Sequence, residues 1–271
     1  MTEWGADPSD AAALYVFAVC DAPDPALFAD VPGFAGGGPL WGLRCGELTA
    51  IAQTVPAADF TDEAWQTRMS DRGELERYAR AHHRVVSAAA AVCRTVPLPL
   101  ATLYHGEDRA RQALIAETER FRAALQRTAD HSEWGVKVYA PPPPAEEPSP
   151  APRAAGSPAG RSRPAPGAGL AYLDRKRGVQ VRRERRHEES LRVADTVDAA
   201  FQNVAAAVRR LRLHGPELTG RSRLQILNAT YLVAEHRAAE LGLLAGELRK
   251  TTGAEIELSG PWVPYSFIGE V

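Results

Sequence analysis

Apolar residues first accumulate in the chain at Leu14 to Cys20, an unbroken run of seven bounded by alanines and aspartates. A run of this length with polar flanks is the pattern of a strand covered on both faces, and it predicts a central strand. Trp41–Arg44 and Leu48–Val55 flank Cys45-Gly46-Glu47, a turn short enough to close a hairpin, so two further strands follow. The period then lengthens. Leu75, Tyr78, His82, Val85, Ala89 and Val92 share one helical face, and Asp71 with Glu74 forms a capping box ahead of them. Val96–Tyr104 returns to an extended pattern, because Pro97 and Pro99 each bias the preceding residue away from the α region, and two prolines place it at a sheet edge. Leu114, Thr118, Phe121 and Leu125 predict a helix from Glu107 to Thr128, and Glu133–Tyr139 a last strand. The first half reads βββαβαβ.

Periodicity then stops. Ala140 to Gly169 carries Pro141 through Pro144, Pro148, Pro150, Pro152, Pro158, Pro164 and Pro166 among Ala, Gly and Ser, which is the composition of a semi-rigid or disordered linker. Beyond it, Ala171–Leu213 reads as a long helix with Leu191, Ala194, Val197, Phe201, Val204, Val208 and Leu211 in one stripe, ended by Gly215 and Pro216. Gln225–Ala234 is a strand, Glu235–Lys250 a helix through Ala238, Leu241, Ala245 and Leu248, and Ile256 and Leu258 alternate with Glu255 and Glu257 in a final strand. The expected organisation is a domain over 1–139, a Pro/Ala-rich linker over 140–169, and a helix plus βαβ domain over 170–271.

Composition supports a globular reading: the 271 residues are 45% hydrophobic and 24% charged, and the length suits about two domains. Net charge is −2, so the whole molecule has no field that would gather polyanions or anionic lipid. The acidic start lacks the basic, then apolar, pattern of a secretory signal, and no run approaches a bilayer span, so a cytoplasmic protein without membrane contact is expected. Cys20, Cys45 and Cys93 are odd in number and far apart in sequence. They are expected to be free thiols, Cys20 and Cys45 in strands and Cys93 on a helix.

Candidate chemistry is sparse. Gly33–Gly42 is glycine-rich, but no Lys-Ser or Lys-Thr follows and a strand comes next, so a loop is expected rather than a phosphate site. Adjacent His82 and His83 diverge by about 100° on a helix and cannot share a metal, and His82 lies on the apolar stripe as a core or domain-contact histidine. No catalytic motif appears and no cofactor or metal is implied, although sites assembled from distant residues around His82, His83 or His105 leave an enzyme as one alternative. Arg175–Arg177 and Arg182–His187, with Arg182 and Arg183 at their centre, are the one basic concentration. Interleaved Glu184, Glu188 and Glu189 favour a solvated face or an acidic partner over nucleic acid, which stands as the second alternative. The C-terminal Ser259–Phe267 places Trp262, Tyr265 and Phe267 among Pro261 and Pro264. Two readings fit it: a packed cap on a sheet edge, or a low-entropy binding surface built from Trp262, Pro264, Tyr265 and Phe267.

Taken together, LYVFAV, ARAHHRVV, VPLPLATLY, EWGVKV, LNATYLV and the terminal LSGPWVPYSF resemble the GvpL/GvpF family of gas vesicle proteins. The likeness is most specific at Glu133–Val138 and Leu258–Phe267. Two departures stand out: Val263 replaces a proline of the family's Gly-Pro-Trp-Pro-Pro-Tyr-Ser-Phe, and Pro99 and Ala101 stand where its Pro-Leu-Arg-Phe-Gly-Thr has Arg and Gly. The resemblance implies an α+β fold, with a modified ferredoxin-like domain and a C-terminal α/β domain containing a long helix. It also implies an accessory or minor structural role, with the hydrophobic shell protein GvpA as partner, together with other gas vesicle accessory proteins. A shell subunit with an apolar face needs shielding until that face is buried in the wall.

Overall fold

The computed structural model describes residues 12–21, 28, 30–141, 168–215 and 223–269, with 168–175 as backbone only. Most of the proline-rich stretch, 142–167, lies outside the described residues. Strands and helices alternate in two antiparallel sheets, an α+β fold.

β1 (Ala12–Asp21) is buried without a break from Ala13 to Cys20, as its apolar run requires. It pairs antiparallel with β3 (Leu48–Pro56), which pairs with β2 (Leu40–Cys45), while β4 (Thr95–Pro97) and β5 (Leu103–Tyr104) line the other side of β1. A bulge between Val16 and Ala18 inserts Phe17 into the ladder. Its consequence is visible in the packing: Phe17 and Ala18, consecutive in sequence, both face the same core cluster with Tyr15 and Cys20, while Leu14, Val16 and Val19 face the opposite one.

Helices cover both faces. α1 (Asp62–Ser70) leads into α2 (Arg72–Ala90), whose Asp71 cap accepts from the N–H groups of Gly73 and Glu74 at 2.8 and 3.1 Å; α2 buries His82, Val85, Val86 and Ala89. Only half of the capping box forms, since Glu74 pairs with Arg77 instead. α2 ends at Ala90, so Val92 is exposed and Cys93 sits in a bend rather than on the helix. The single helix expected over Glu107–Thr128 is two, α3 (Glu107–Ala116) and α4 (Thr118–Thr128). At the break, the Thr118 hydroxyl donates to the Ile115 carbonyl at 2.7 Å, competing with the helical backbone bond. Together they bury Ala110, Leu114, Phe121, Ala124 and Leu125 on the second face. Val96–Tyr104 is likewise broken, into β4 and β5, by a turn in which Ala101 has φ of 67°. The edge position expected from its prolines holds at β4.

The glycine-rich segment ahead of β2 is an ordered loop held by Gln53 of β3. The Gln53 amide accepts from the Phe34 N–H at 2.9 Å and donates to the carbonyls of Phe34 at 3.1 Å and Gly38 at 2.8 Å. A Cβ at Gly33 or Gly37 would fall 2.5 Å from that amide, so the loop needs glycine to close on it.

The second sheet runs β7 (Ala207–Arg210), β8 (Gln225–Ala234), β6 (His131–Tyr139), β9 (Glu255–Trp262). This corrects two expectations. β6 does not complete the first sheet, and β8 and β9 are not neighbours, because β6 lies between them. The long helix α5 (Ala168–Gln202) stops eleven residues short of Leu213, and Val204, Val208 and Leu211 are not on it. Arg237 supplies the missing stop signal: its guanidinium donates to the carbonyls of Asn203 at 3.3 Å and Val204 at 3.1 Å, filling acceptors left open just past the helix end. Ala207–Arg210 then pairs as β7 against β8, tertiary pairing overriding the helical propensity of its alanine and arginines. α6 (Ala238–Thr252) closes on Gly253 in the left-handed conformation and buries Leu241, Ala245 and Leu248.

The chain divides into two compact units. One holds the described residues up to Trp134 with Leu232–Glu235 and those from Gly260 onward, and the other Gly135–Tyr231 with His236–Ser259. In the second, Asp198 of α5 is 1% exposed. It accepts from the hydroxyl of Tyr231 in β8, from Gln202 at 2.8 Å and from Arg210 in β7 at 3.0 Å, tying the helix to two strands.

Candidate functional site

In the first unit the C-terminal segment is fastened by a single buried carboxylate. Glu133, near the start of β6, is 6% exposed, and both its oxygens are used: Oε2 accepts from the Ser266 backbone N–H at 2.8 Å and Oε1 from the Ser266 hydroxyl at 2.5 Å. A buried carboxylate must be neutralised or hydrogen-bonded, and here one serine supplies both donors. The approach is close enough to dictate Gly260, which has φ of 143° and where a Cβ would sit 2.9 Å from the Glu133 carbonyl and the Trp134 ring.

From Gly260 the chain runs through Trp262 into a short 3₁₀ turn, Tyr265–Phe267. Pro264 and Phe267 are buried, and Val263 and Tyr265 pack on the core face that holds Tyr15 and Phe17. The Tyr265 ring lies 6.3 Å from His82 and 6.1 Å from His83, and burial pushes its phenol above the usual range. Trp262 alone of the three rings stays about half in solvent, 47% exposed, with its ring centroid 5.4 Å from that of His83.

His82 is a core residue. The Tyr15 hydroxyl accepts from the Ala101 N–H at 2.9 Å and shares a second hydrogen bond, also 2.9 Å, with Nδ1 of His82. Burial lowers its pKa to about 4. His83, one residue on, faces Ser87 at 3.3 Å and the rim of a cleft of about 410 Å³. Trp262 and His83 form one wall of that cleft, Cys93 and Thr95 the floor after α2, and Asp130 and His131 the turn into β6. Its lining mixes aromatic, hydroxyl and ionisable groups, which suits a side chain or short segment of another protein more than a single charged ligand. Among the described residues no group of three or more His, Cys, Asp or Glu is placed to hold a metal. No described helix is long and apolar enough to cross a membrane.

The sequence-selected residues thus separate. Of the aromatic segment, Pro264 and Phe267 anchor, Tyr265 half-buries, and Trp262 is presented. The packed cap is what Pro264, Phe267 and part of Tyr265 form, and Trp262 is left exposed beside it. Arg182 and Arg183 belong to the other unit, exposed on α5 beside Glu184, which accepts from Gln180 at 2.8 Å. His105 is exposed before α3, whereas His82 is buried. Glu133 was not singled out by the sequence as the anchor of this segment, although an acid directly before Trp134, Val136 and Val138 was its signal. Asp198 gave the same signal on the apolar stripe of α5, between Val197 and Phe201.

The family model described as gas vesicle synthesis protein GvpL/GvpF matches residues 13–269. Gas vesicle protein L of Streptomyces sp. (strain CB03234) is 35% identical over 269 residues, covering 94% of this chain and 92% of that one. In fold the chain is similar to crystal structures of GvpF from Anabaena sp. PCC7120 and from Microcystis aeruginosa, each with a TM-score of 0.63 at 12% identity. These likenesses cover 96% and 95% of this chain and 97% and 99% of theirs.

Proposed function

The chain belongs to the GvpL/GvpF family of gas vesicle proteins, and on that premise we propose that it binds the shell protein GvpA and limits its aggregation while vesicles nucleate and grow. The family is one of structural and accessory proteins and not a known enzyme family. The observation that carries the reading is the presentation of Trp262: an indole half in solvent at the rim of a cleft, on a segment whose neighbours Pro264 and Phe267 are buried and whose serine is clamped by Glu133. A large ring held in place before binding loses little conformational entropy on contact, which is what a binding hot spot requires. A partner with an apolar face gains by covering it.

Arg182 and Arg183, exposed on α5, are proposed as a second contact for an acidic surface of another gas vesicle protein. Their long side chains contribute to rate and orientation more than to affinity.

Co-expression of the tagged chain with GvpA tests the reading. Retention of the shell protein on the tagged chain, reduced at least tenfold by Trp262→Ala with near-ultraviolet circular dichroism otherwise native, is the expected result. A chain that retains no GvpA, and whose omission leaves vesicle yield unchanged, overturns it.

A further inference from the structure

Cys20 and Cys93 are 73 positions apart in sequence, yet the fold brings them to one hydroxyl. In the ladder between β1 and β4, Cys20 stands opposite Thr95, and Cys93 comes two residues before it in the bend after α2. The sulfur of Cys20 lies 3.4 Å from Thr95 Oγ1 and that of Cys93 3.6 Å, so the two thiols share one hydroxyl. Thr95 spends its own proton on the Cys93 carbonyl at 3.0 Å, so its oxygen is left to accept from the thiols. Cys20 is fully buried, whereas Cys93 is half-buried and lines the cleft.

This asymmetry separates the two sulfurs chemically. The hydrogen bond from Cys20 lowers the pKa of the Cys93 thiol, while the same bond and burial raise that of Cys20. Asp21, whose charge opposes ionisation of either, is paired with Arg94. A thiol that ionises readily, faces solvent and has a second thiol beside it combines the features of a reactive and a resolving cysteine. Cys45 has none of them: it is 1% exposed in the other core cluster, with its S–H on the Leu43 carbonyl at 3.5 Å.

We propose that Cys20 and Cys93 form a peroxide-reactive dithiol, with Cys93 taking the oxidant at the cleft wall and Cys20 resolving it as an intramolecular disulfide. The Cys93 thiolate sulfur attacks one oxygen of hydrogen peroxide; the O–O bond breaks, the sulfur becomes a sulfenic acid, and the departing hydroxide leaves as water with the thiol's proton. The Cys20 sulfur then attacks the sulfenic sulfur. The S–S bond forms as the S–O bond breaks, and the hydroxyl leaves with the Cys20 proton as a second water. Two thiols have given up two electrons and two protons, and the peroxide is reduced to two waters. Cys93 precedes the paired strand, so it can move toward disulfide geometry while β1 stays fixed. Closure ties β1 to the bend after α2 and removes the thiol from the cleft that Trp262 borders. The thiol chemistry does not require GvpA, although Cys93 and Trp262 line the same cleft.

The test uses the full chain, folded and reduced, exposed to hydrogen peroxide, then denatured, alkylated and mapped by mass spectrometry. The expected result is a fall from three alkylatable thiols to one, that of Cys45, with one peptide joining Cys20 to Cys93. Cys20→Ser should give no joined peptide but a dimedone adduct on Cys93, and Cys93→Ser should keep both remaining thiols. Three surviving thiols in the unsubstituted chain, a disulfide between molecules, or loss of Cys45 at the same rate as Cys93 would each overturn the proposal.

Discussion

Glu133 holds Ser266 by both its backbone N–H and its hydroxyl, across 133 residues of chain, so the two stretches of sequence most specific to the family are in direct contact. EWGVKV and SGPWVPYSF are therefore one structural feature. The acid that opens the first is the anchor of the second, and the tryptophan is displayed because its neighbours are held.

Replacing Glu133 by Ala should cost about 2–4 kcal/mol, two hydrogen bonds to a charged acceptor. Ser266→Ala should cost roughly half of that, because the backbone N–H still reaches the carboxylate. A double-mutant cycle read by urea denaturation should give a coupling of about 1–2 kcal/mol. Additive effects would mean that the hydroxyl arm of the clamp contributes nothing.

Ala101 holds φ of 67° while its N–H serves the Tyr15 hydroxyl, and the family pattern has glycine there. An L-residue in the left-handed region costs about 1–2 kcal/mol, part of which glycine returns as unfolded-state entropy. Ala101→Gly should therefore stabilise the chain by about 0.5–1 kcal/mol in the same denaturation assay. A neutral or destabilising result would place the strain elsewhere.

His82 should make stability depend on acid. Its folded pKa is lowered from 6.5 to about 4 by burial, so the unfolded state takes the proton first as pH falls. Its contribution is intact above pH 6.5 and is lost between 6.5 and about 4. At about 1.4 kcal/mol per pH unit, denaturation at pH 5 should show a loss of about 2 kcal/mol relative to pH 7.5. His82→Leu, though less stable because the Tyr15 hydroxyl loses a partner, should show a flatter profile over that window. A profile of unchanged slope would rule His82 out as its source.

Asp198→Ala should destabilise the second unit by about 3–5 kcal/mol, since it leaves Tyr231 and Arg210 without the buried acceptor they share. Tyr231→Phe keeps the Arg210 pair and should cost about 1–2 kcal/mol. Hydrogen exchange along α5 and β7 reports the difference. Equal protection in the two variants would argue against Asp198 as the tie between helix and sheet.

Local pattern determined much of this molecule. The apolar run of β1, the hairpin of β2 and β3, the Asp71 cap of α2 and the limits of β8 at Gln225 and Ala234 were all legible, because period, capping and turn chemistry act over a few residues. The aromatic ending was legible as unusual, and the family could be recognised from it. Partnership was not legible. Which sheet receives β6 depends on β8 and β9, about a hundred residues away, and an alternating strand carries no label for its neighbour. The end of α5 depends on Arg237, and Ala207–Arg210 suits a helix until β8 offers it a ladder. Glu133, Asp198 and the two thiols on Thr95 are isolated letters in the sequence. Burial gives them their meaning, because a carboxylate or thiol taken out of water must find its partner wherever the chain happens to return, and only the folded chain fixes that place.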